Sequence, residues 1–165
     1  MTASDPPSLR ALAQGADHID AHAIESDLEL EVFLAGLFAY NPAWVTFLYR
    51  VRVVFLGLLG QRTGLPARWT DSRVPMKPGE RLSFFTVEDA GRDFWIAQGR
   101  EAHLTARLAV VQEPGQRRTY RYRLVTVVHL HNLTGRIYLR MILPFHHRIV
   151  TLMLRHAATF VGKPA

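Results

Sequence analysis

Polar and apolar residues alternate along DHIDAHAIES (17–26), setting Ile19, Ala21 and Ala23 opposite His18, Asp20 and His22, which predicts a half-buried strand. The period then lengthens. ELEVFLAGLFA (29–39) predicts a helix that stops at Asn41-Pro42, because proline lacks the amide that would continue it. PAWVTFLYRVRVVFLGLLG (42–60) predicts a second helix, opened by Pro42 and closed by Gly60. At about 100° per residue, Trp44, Phe47, Leu48, Val51, Val54, Phe55, Leu58 and Leu59 form a wide stripe assigned to the core. Val45, Tyr49, Val53 and Leu56 form a second, narrower strip between Arg50 and Arg52. That strip predicts a homodimer or partner contact first, burial under the next loop second, and membrane-surface contact last. Two central arginines argue against a membrane span.

QRTGLPARWTDSRVPMKPGE (61–80) holds three prolines and two glycines and predicts a long irregular loop, of the kind that often forms a lid. Beyond it the period is two again. LSFFTVEDA (82–90), DFWIAQGR (93–100), HLTARLAVVQE (103–113), TYRYRLVTVVHLHN (119–132) and GRIYLRMILPF (135–145) predict an antiparallel meander with turns at Gly91, Pro114-Gly115 and Gly135. At the last turn, Asn132 and Gly135 fit a type I turn with a left-handed glycine bulge. This pairs Asn132 with Arg136, His131 with Ile137, His129 with Leu139 and Val127 with Met141. His129 and His131 then share a face with Ile137, Leu139, Met141 and Leu143. PFHHRIVTLMLRHAATF (144–160) predicts a terminal helix with Phe145, Ile149, Leu152, Met153, His156 and Phe160 on one side. The sum is an α+β fold: a curved antiparallel sheet, made of an N-terminal strand and a meander of about five strands, wrapped around a long C-terminal helix, with two helices after the first strand. Residues 1–15 are expected as a flexible tail and 16–162 as one domain.

Composition narrows the partners. The chain has 165 residues, 48% of them hydrophobic, and a formal charge of +6. Only Lys77 and Lys163 are lysines, so the cationic charge is nearly all arginine, spread along the chain. The one local cluster, Arg117, Arg118, Arg121 and Arg123, reads as a solvated hairpin end, and no nucleic-acid-binding module accompanies it. Cysteine is absent, which excludes disulfides and thiolate chemistry. The N-terminus lacks the basic start and apolar run of a secretory signal, so a cytoplasmic location is expected.

His103-Leu104, Thr126-Val127-Val128, His131-Asn132, Gly135-Arg136, Tyr138-Leu139 and Pro144-Phe145-His146 resemble motifs of an uncharacterised bacterial family within the START-like (Bet v 1-like, SRPBCC) helix-grip superfamily. The resemblance spans roughly residues 15–160. It implies a curved sheet around a C-terminal helix and a hydrophobic cavity between them, with no established chemistry. Members often follow an NAD(P)-binding epimerase-like domain; this chain has no G-x-G-x-x-G, which implies action alone or with a separate reductase-like partner.

The expected cavity takes a hydrophobic small molecule, with Trp95, Tyr122, Leu139, Met141 and Met153 as walls and His103, His129 and His156 as polar contacts. No cofactor is expected. His129, His131 and His103 could supply three imidazoles to zinc, but spacing of two on a strand is a weak signal, hydrogen-bonded strand histidines fit as well, and no metal is expected. None of the five serines lies in a G-x-S-x-G context, and Glu88-Asp89 and Asp93 read as turn carboxylates. His146 and His147 stand at the predicted start of the last helix. Three functions remain open: a binding module, a cyclase- or isomerase-like enzyme with His129 or His146 as general base, and a partner or dimerisation domain through Val45, Tyr49, Val53 and Leu56.

Overall fold

The β-branched and aromatic runs pair into one six-stranded antiparallel sheet in the order β1-β6-β5-β4-β3-β2. In the computed structural model, residues 5–58, 60, 73–116 and 119–161 are described. Residues 61–72 of the expected lid loop, and Arg117 and Arg118, lie outside them. The elements are α1 (Pro7–Leu12), β1 (His18–Ser26), α2 (Leu30–Ala39), α3 (Ala43–Leu58), β2 (Arg81–Leu82), β3 (Phe85–Ala90), β4 (Phe94–Arg100), β5 (Leu104–Pro114), β6 (Tyr120–Leu130) and α4 (Leu133–Ala158). A meander β2 to β6 beside β1, gripping a long last helix, matches the expected α+β architecture.

The strand count agrees, but its members differ at two places. Residues 82–90 divide into β2 and β3 around Ser83, a non-glycine residue with φ of 56°. Residues 135–145, where alternation predicts a strand, are the first half of α4. Asn132 does not open a hairpin there. Its side chain accepts the Gly135 N–H at 3.1 Å, capping the helix, and the pairings of His129 with Leu139 and His131 with Ile137 do not form. A Cβ on residue 135 would collide with the His103 carbonyl, so glycine is required where the helix start meets the sheet. Pro144, the apparent strand end, sits inside α4 and removes one hydrogen bond.

Successive residues of β6 face opposite layers, and both layers are covered. On the concave face Tyr122 and Leu124 join Leu108, Val110, Trp95 and Ala97 beneath Phe33, Leu34 and Leu37 of α2 and Val150, Leu154 and Ala157 of α4. On the convex face Val125 and Val127 join Ala109, Val111 and Ile96 around Leu9 of α1. A third cluster, Leu56, Leu104, Val128 and Tyr138, lies where α3 meets the first half of α4.

Two assignments of the sequence reading reverse. Part of the expected tail is built into the fold: Leu9 is fully buried, and Asp5 is buried in an ion pair with Arg123. Arg123, assigned to a solvated hairpin end, also binds Glu113 at 3.1 Å. On α3 the narrow strip faces inward, with Val45 and Leu56 buried, whereas Trp44, Phe47, Val51, Val54 and Leu58 of the wide stripe are exposed and Leu48 and Phe55 are half-buried; Leu59 lies outside the described residues. Arg52 lies beside the narrow strip and reaches the Glu101 carboxylate, and Leu56 packs in the third cluster, so both contacts hold that face towards the sheet. Val45, Tyr49, Val53 and Leu56 therefore do not form the exposed contact strip expected of them.

Replacing Leu9 by alanine should cost about 3 kcal/mol of unfolding free energy, since it opens the convex-face cluster. Asn132→Ala should cost about 1 kcal/mol through loss of the α4 cap. Urea unfolding of the two variants against the parent checks both values.

Candidate functional site

The turn between β4 and β5 carries Glu101 and His103 to the place where α3 meets the first half of α4. His131 N–H donates to the His103 carbonyl at 3.0 Å, and the Asn132 amide donates to Ala102 O at 3.3 Å, so the turn is fixed to the head of α4. The His103 side chain is fully buried. Its Nδ1 is 3.5 Å from Glu101 Oε2, and neither ring nitrogen makes a hydrogen bond. Glu101 is held by Arg52, whose guanidinium also lies 5.6 Å above the Tyr138 ring. Tyr138 meets His103 edge to face, with ring centroids 5.1 Å apart.

These neighbours set the charges. Burial lowers the His103 pKa, and Arg52 and His131 lower it further against the opposing pull of Glu101, so the imidazole is neutral at neutral pH. Burial pushes the Tyr138 phenol up to about 12, offset in part by Arg52, and it raises Tyr49 as well. Burial would lower Arg52, but Tyr138 and Glu101 hold it charged. The node thus presents a neutral imidazole, a carboxylate–guanidinium pair and two protonated phenols, beside the apolar walls Leu56, Leu104, Val128, Leu139 and Ile142.

A second polar group lies further along α4. β1 presents His18, Asp20 and His22 to the same face, and α4 presents His146 and His147. His22 Nε2 is 2.9 Å from Asp20 Oδ2, with His146 and His147 Nε2 at 3.8 and 3.9 Å. Burial lowers the His146 pKa, Asp20 opposes this, and the neighbouring histidines add to it. The imidazoles converge on one carboxylate oxygen rather than around a common centre. Among the described residues, no group of three or more such side chains is arranged to hold a metal ion.

The remaining candidates are dispersed by the fold. His129 is on the convex face, where Arg107 Nη1 donates to its Nδ1 at 3.3 Å and its Nε2 donates to Gln14 O at 3.2 Å. Both nitrogens are used, leaving no free lone pair for a substrate proton. It borders an open hollow of about 370 Å³ that also includes Arg100, Thr105, Arg107 and His131, with Arg107 already bound to Glu88 at 2.9 Å. Trp95 and Tyr122 are buried under α2 with their polar atoms engaged: Trp95 N–H donates to Pro75 O at 2.9 Å, and Tyr122 O–H donates to Leu28 O at 2.6 Å. Tyr122 stacks on Phe33 at 3.8 Å. His156 donates to Gly36 O at 2.8 Å, and Met153 packs on the same cluster. Leu139 reaches the His103 node, whereas Met141 is on the outer side of α4. Of the candidates, only His103 and Leu139 therefore meet at that node. Glu101, Arg52 and Tyr138 were missed; the one signal for Arg52 was an arginine bounding an apolar strip.

A family model described as "Protein of unknown function (DUF2867)" matches residues 12–153. Among solved structures, a hypothetical protein from Helicobacter pylori aligns with 12% identity and a TM-score of 0.47, covering 96% of this chain and 95% of that one. A norcoclaurine synthase point mutant from Thalictrum flavum, in complex with a transition state analogue, aligns with 11% identity and a TM-score of 0.38, covering 84% of this chain and 95% of that one. No curated protein matches the chain significantly.

His103 and His146 both have pKa values below that of an unfolded histidine. The unfolded chain therefore binds more protons, and stability present above about pH 6.5 is lost as the pH falls below it. His103→Leu should flatten this decline. Urea midpoints taken across the weakly acidic range for parent and variant provide the check.

Proposed function

Because the chain belongs to the family described as Protein of unknown function (DUF2867), we propose a function from its own site: it is a small-molecule-binding module that receives an apolar ligand with one carbonyl or carboxylate group between α3 and the head of α4. The supporting observation is His103, fully buried yet without a hydrogen bond at either nitrogen. Burying such a group without a partner costs about 1–3 kcal/mol, and a ligand's polar end arriving at the imidazole and Arg52 would recover it. Leu56, Leu104, Val128, Leu139 and Ile142 would take the apolar body. α3 forms the cover, because its inner side supplies both Leu56 and Arg52. The walls expected deeper in the sheet, Trp95 and Tyr122, belong in this reading to the fixed core.

A second reading is supported by His146. Held near Asp20 and kept neutral by burial, it suits a general base, so an isomerase- or cyclase-like reaction would use His146 rather than His129.

Titration with a panel of apolar carboxylates and ketones, followed through the ring nitrogen resonances of His103 and His146, tests the two readings. The binding reading expects His103 to shift on saturation. Ala106→Phe, which adds bulk where residue 106 packs against the third cluster, should weaken affinity at least tenfold with the circular dichroism spectrum unchanged. A panel that leaves His103 unmoved but shifts His146 favours the second reading, and movement of neither overturns both.

A further inference from the structure

The outer side of α3 carries a row of apolar residues exposed among the described residues: Trp44, Phe47, Val51, Val54 and Leu58, spaced by three and four residues. Phe47, Val54 and Leu58 are 63%, 65% and 82% exposed. The neighbouring helix repeats the feature. α4 exposes Leu133, Ile137, Met141 and Phe145 at intervals of four, and the two helices meet in the cluster that contains Leu56 and Tyr138. Leaving so many large side chains in water on adjacent helices is unusual for a surface that stays solvated.

Charge identifies the occupant. Neither α3 nor α4 contains an aspartate or glutamate, while Arg50, Arg136, Arg140 and Arg148 are exposed on them. The chain as a whole carries +6. A second copy could pair along the three-four spacing, but such seams are normally flanked by opposite charges across the interface. Here the positions flanking the α3 row are Leu48, Arg50, Phe55 and Gly57, whose single charge is an arginine, so two copies would meet without the acidic partner such a seam needs. An anionic surface with an apolar layer below it complements both features. Aromatic and aliphatic side chains enter the acyl boundary, and arginines reach the phosphates.

We propose that the outer face of α3, with the adjoining row on α4, docks this protein on an anionic phospholipid bilayer. The contact lies in the interface plane. No single described helix is long and apolar enough to cross a membrane. The α2–α3 pair has the length and composition only as two helices bent by 68°, and α2 spends Leu30, Phe33, Leu34 and Leu37 on the core. The inference is independent of the ligand site, which uses the inner side of α3.

The test is cosedimentation of the full chain with phosphatidylcholine vesicles, with and without phosphatidylglycerol, alongside its oligomeric state by light scattering. The parent should pellet with the anionic vesicles, and binding should fall as salt rises. The double variant Phe47→Asp, Val54→Asp alters two exposed side chains and should reduce the bound fraction at least tenfold with an unchanged circular dichroism spectrum. Arg140→Glu, Arg148→Glu should weaken binding to anionic vesicles alone. The proposal is overturned if the parent leaves both vesicle types in the supernatant, or if the aspartate pair changes nothing. It is overturned equally if that pair dissociates a dimer that never bound lipid.

Discussion

Eleven consecutive residue pairs join β5 to β6, from Leu104 with Leu130 to Pro114 with Tyr120, and the rest of the molecule is arranged around that register. Both faces of the ladder are buried. Even-numbered residues of β6 meet α2, α3 and α4, and odd-numbered ones meet α1 and its surroundings. A slip by one residue would exchange Tyr122 and Leu124 with Arg123 and Val125, moving the Asp5–Arg123 ion pair into the aromatic core. The ladder also delivers chemistry. Its first pairs place Leu104 and Val128 beside His103, so the strand register that holds the core also locates the polar node.

The elements with one unambiguous period were legible in the sequence: β1, α2, α3, and β4 to β6 lie where alternation or helical spacing places them. The head of α4 was not. In GRIYLRMIL the residues Ile137, Leu139, Met141 and Leu143 alternate like a strand, and Pro144 looks like its end. The helix forms because Asn132 caps it, and because Gly135 and Tyr138 dock on the His103 turn. Those are tertiary contacts, invisible to a local pattern. That single difference moved His129 out of the expected cavity, since its supposed neighbours Leu139 and Met141 belong to a helix and not to a facing strand.

The reversal on α3 has a different origin. Hydrophobicity identified two stripes but could not decide which faced the protein, and the wider one was the natural choice for the core. Tertiary contacts decided otherwise. The smaller stripe turns inward, where Leu56 packs against Leu104, Val128 and Tyr138 and Arg52 meets Glu101, a partner distant in sequence, and most of the larger stripe is left on the surface. The same pair supplies the charged end of the node around His103. The two sides of one helix therefore differ in kind: the inner carries the charged pair, and the outer carries the exposed apolar row.

Pro144 divides α4 at a meaningful point. Without its amide, Arg140 loses the usual donor four residues on, so the backbone hydrogen-bond ladder has a gap near the middle of a 26-residue helix. Before the gap, Tyr138, Leu139 and Ile142 pack with α3 and the His103 turn; after it, Val150, Leu154 and Ala157 pack with α2. The break in the ladder coincides with the boundary between the two hydrophobic clusters. α4 thus serves two hydrophobic clusters with one continuous helix, and the backbone bond that Pro144 removes falls at the seam between them.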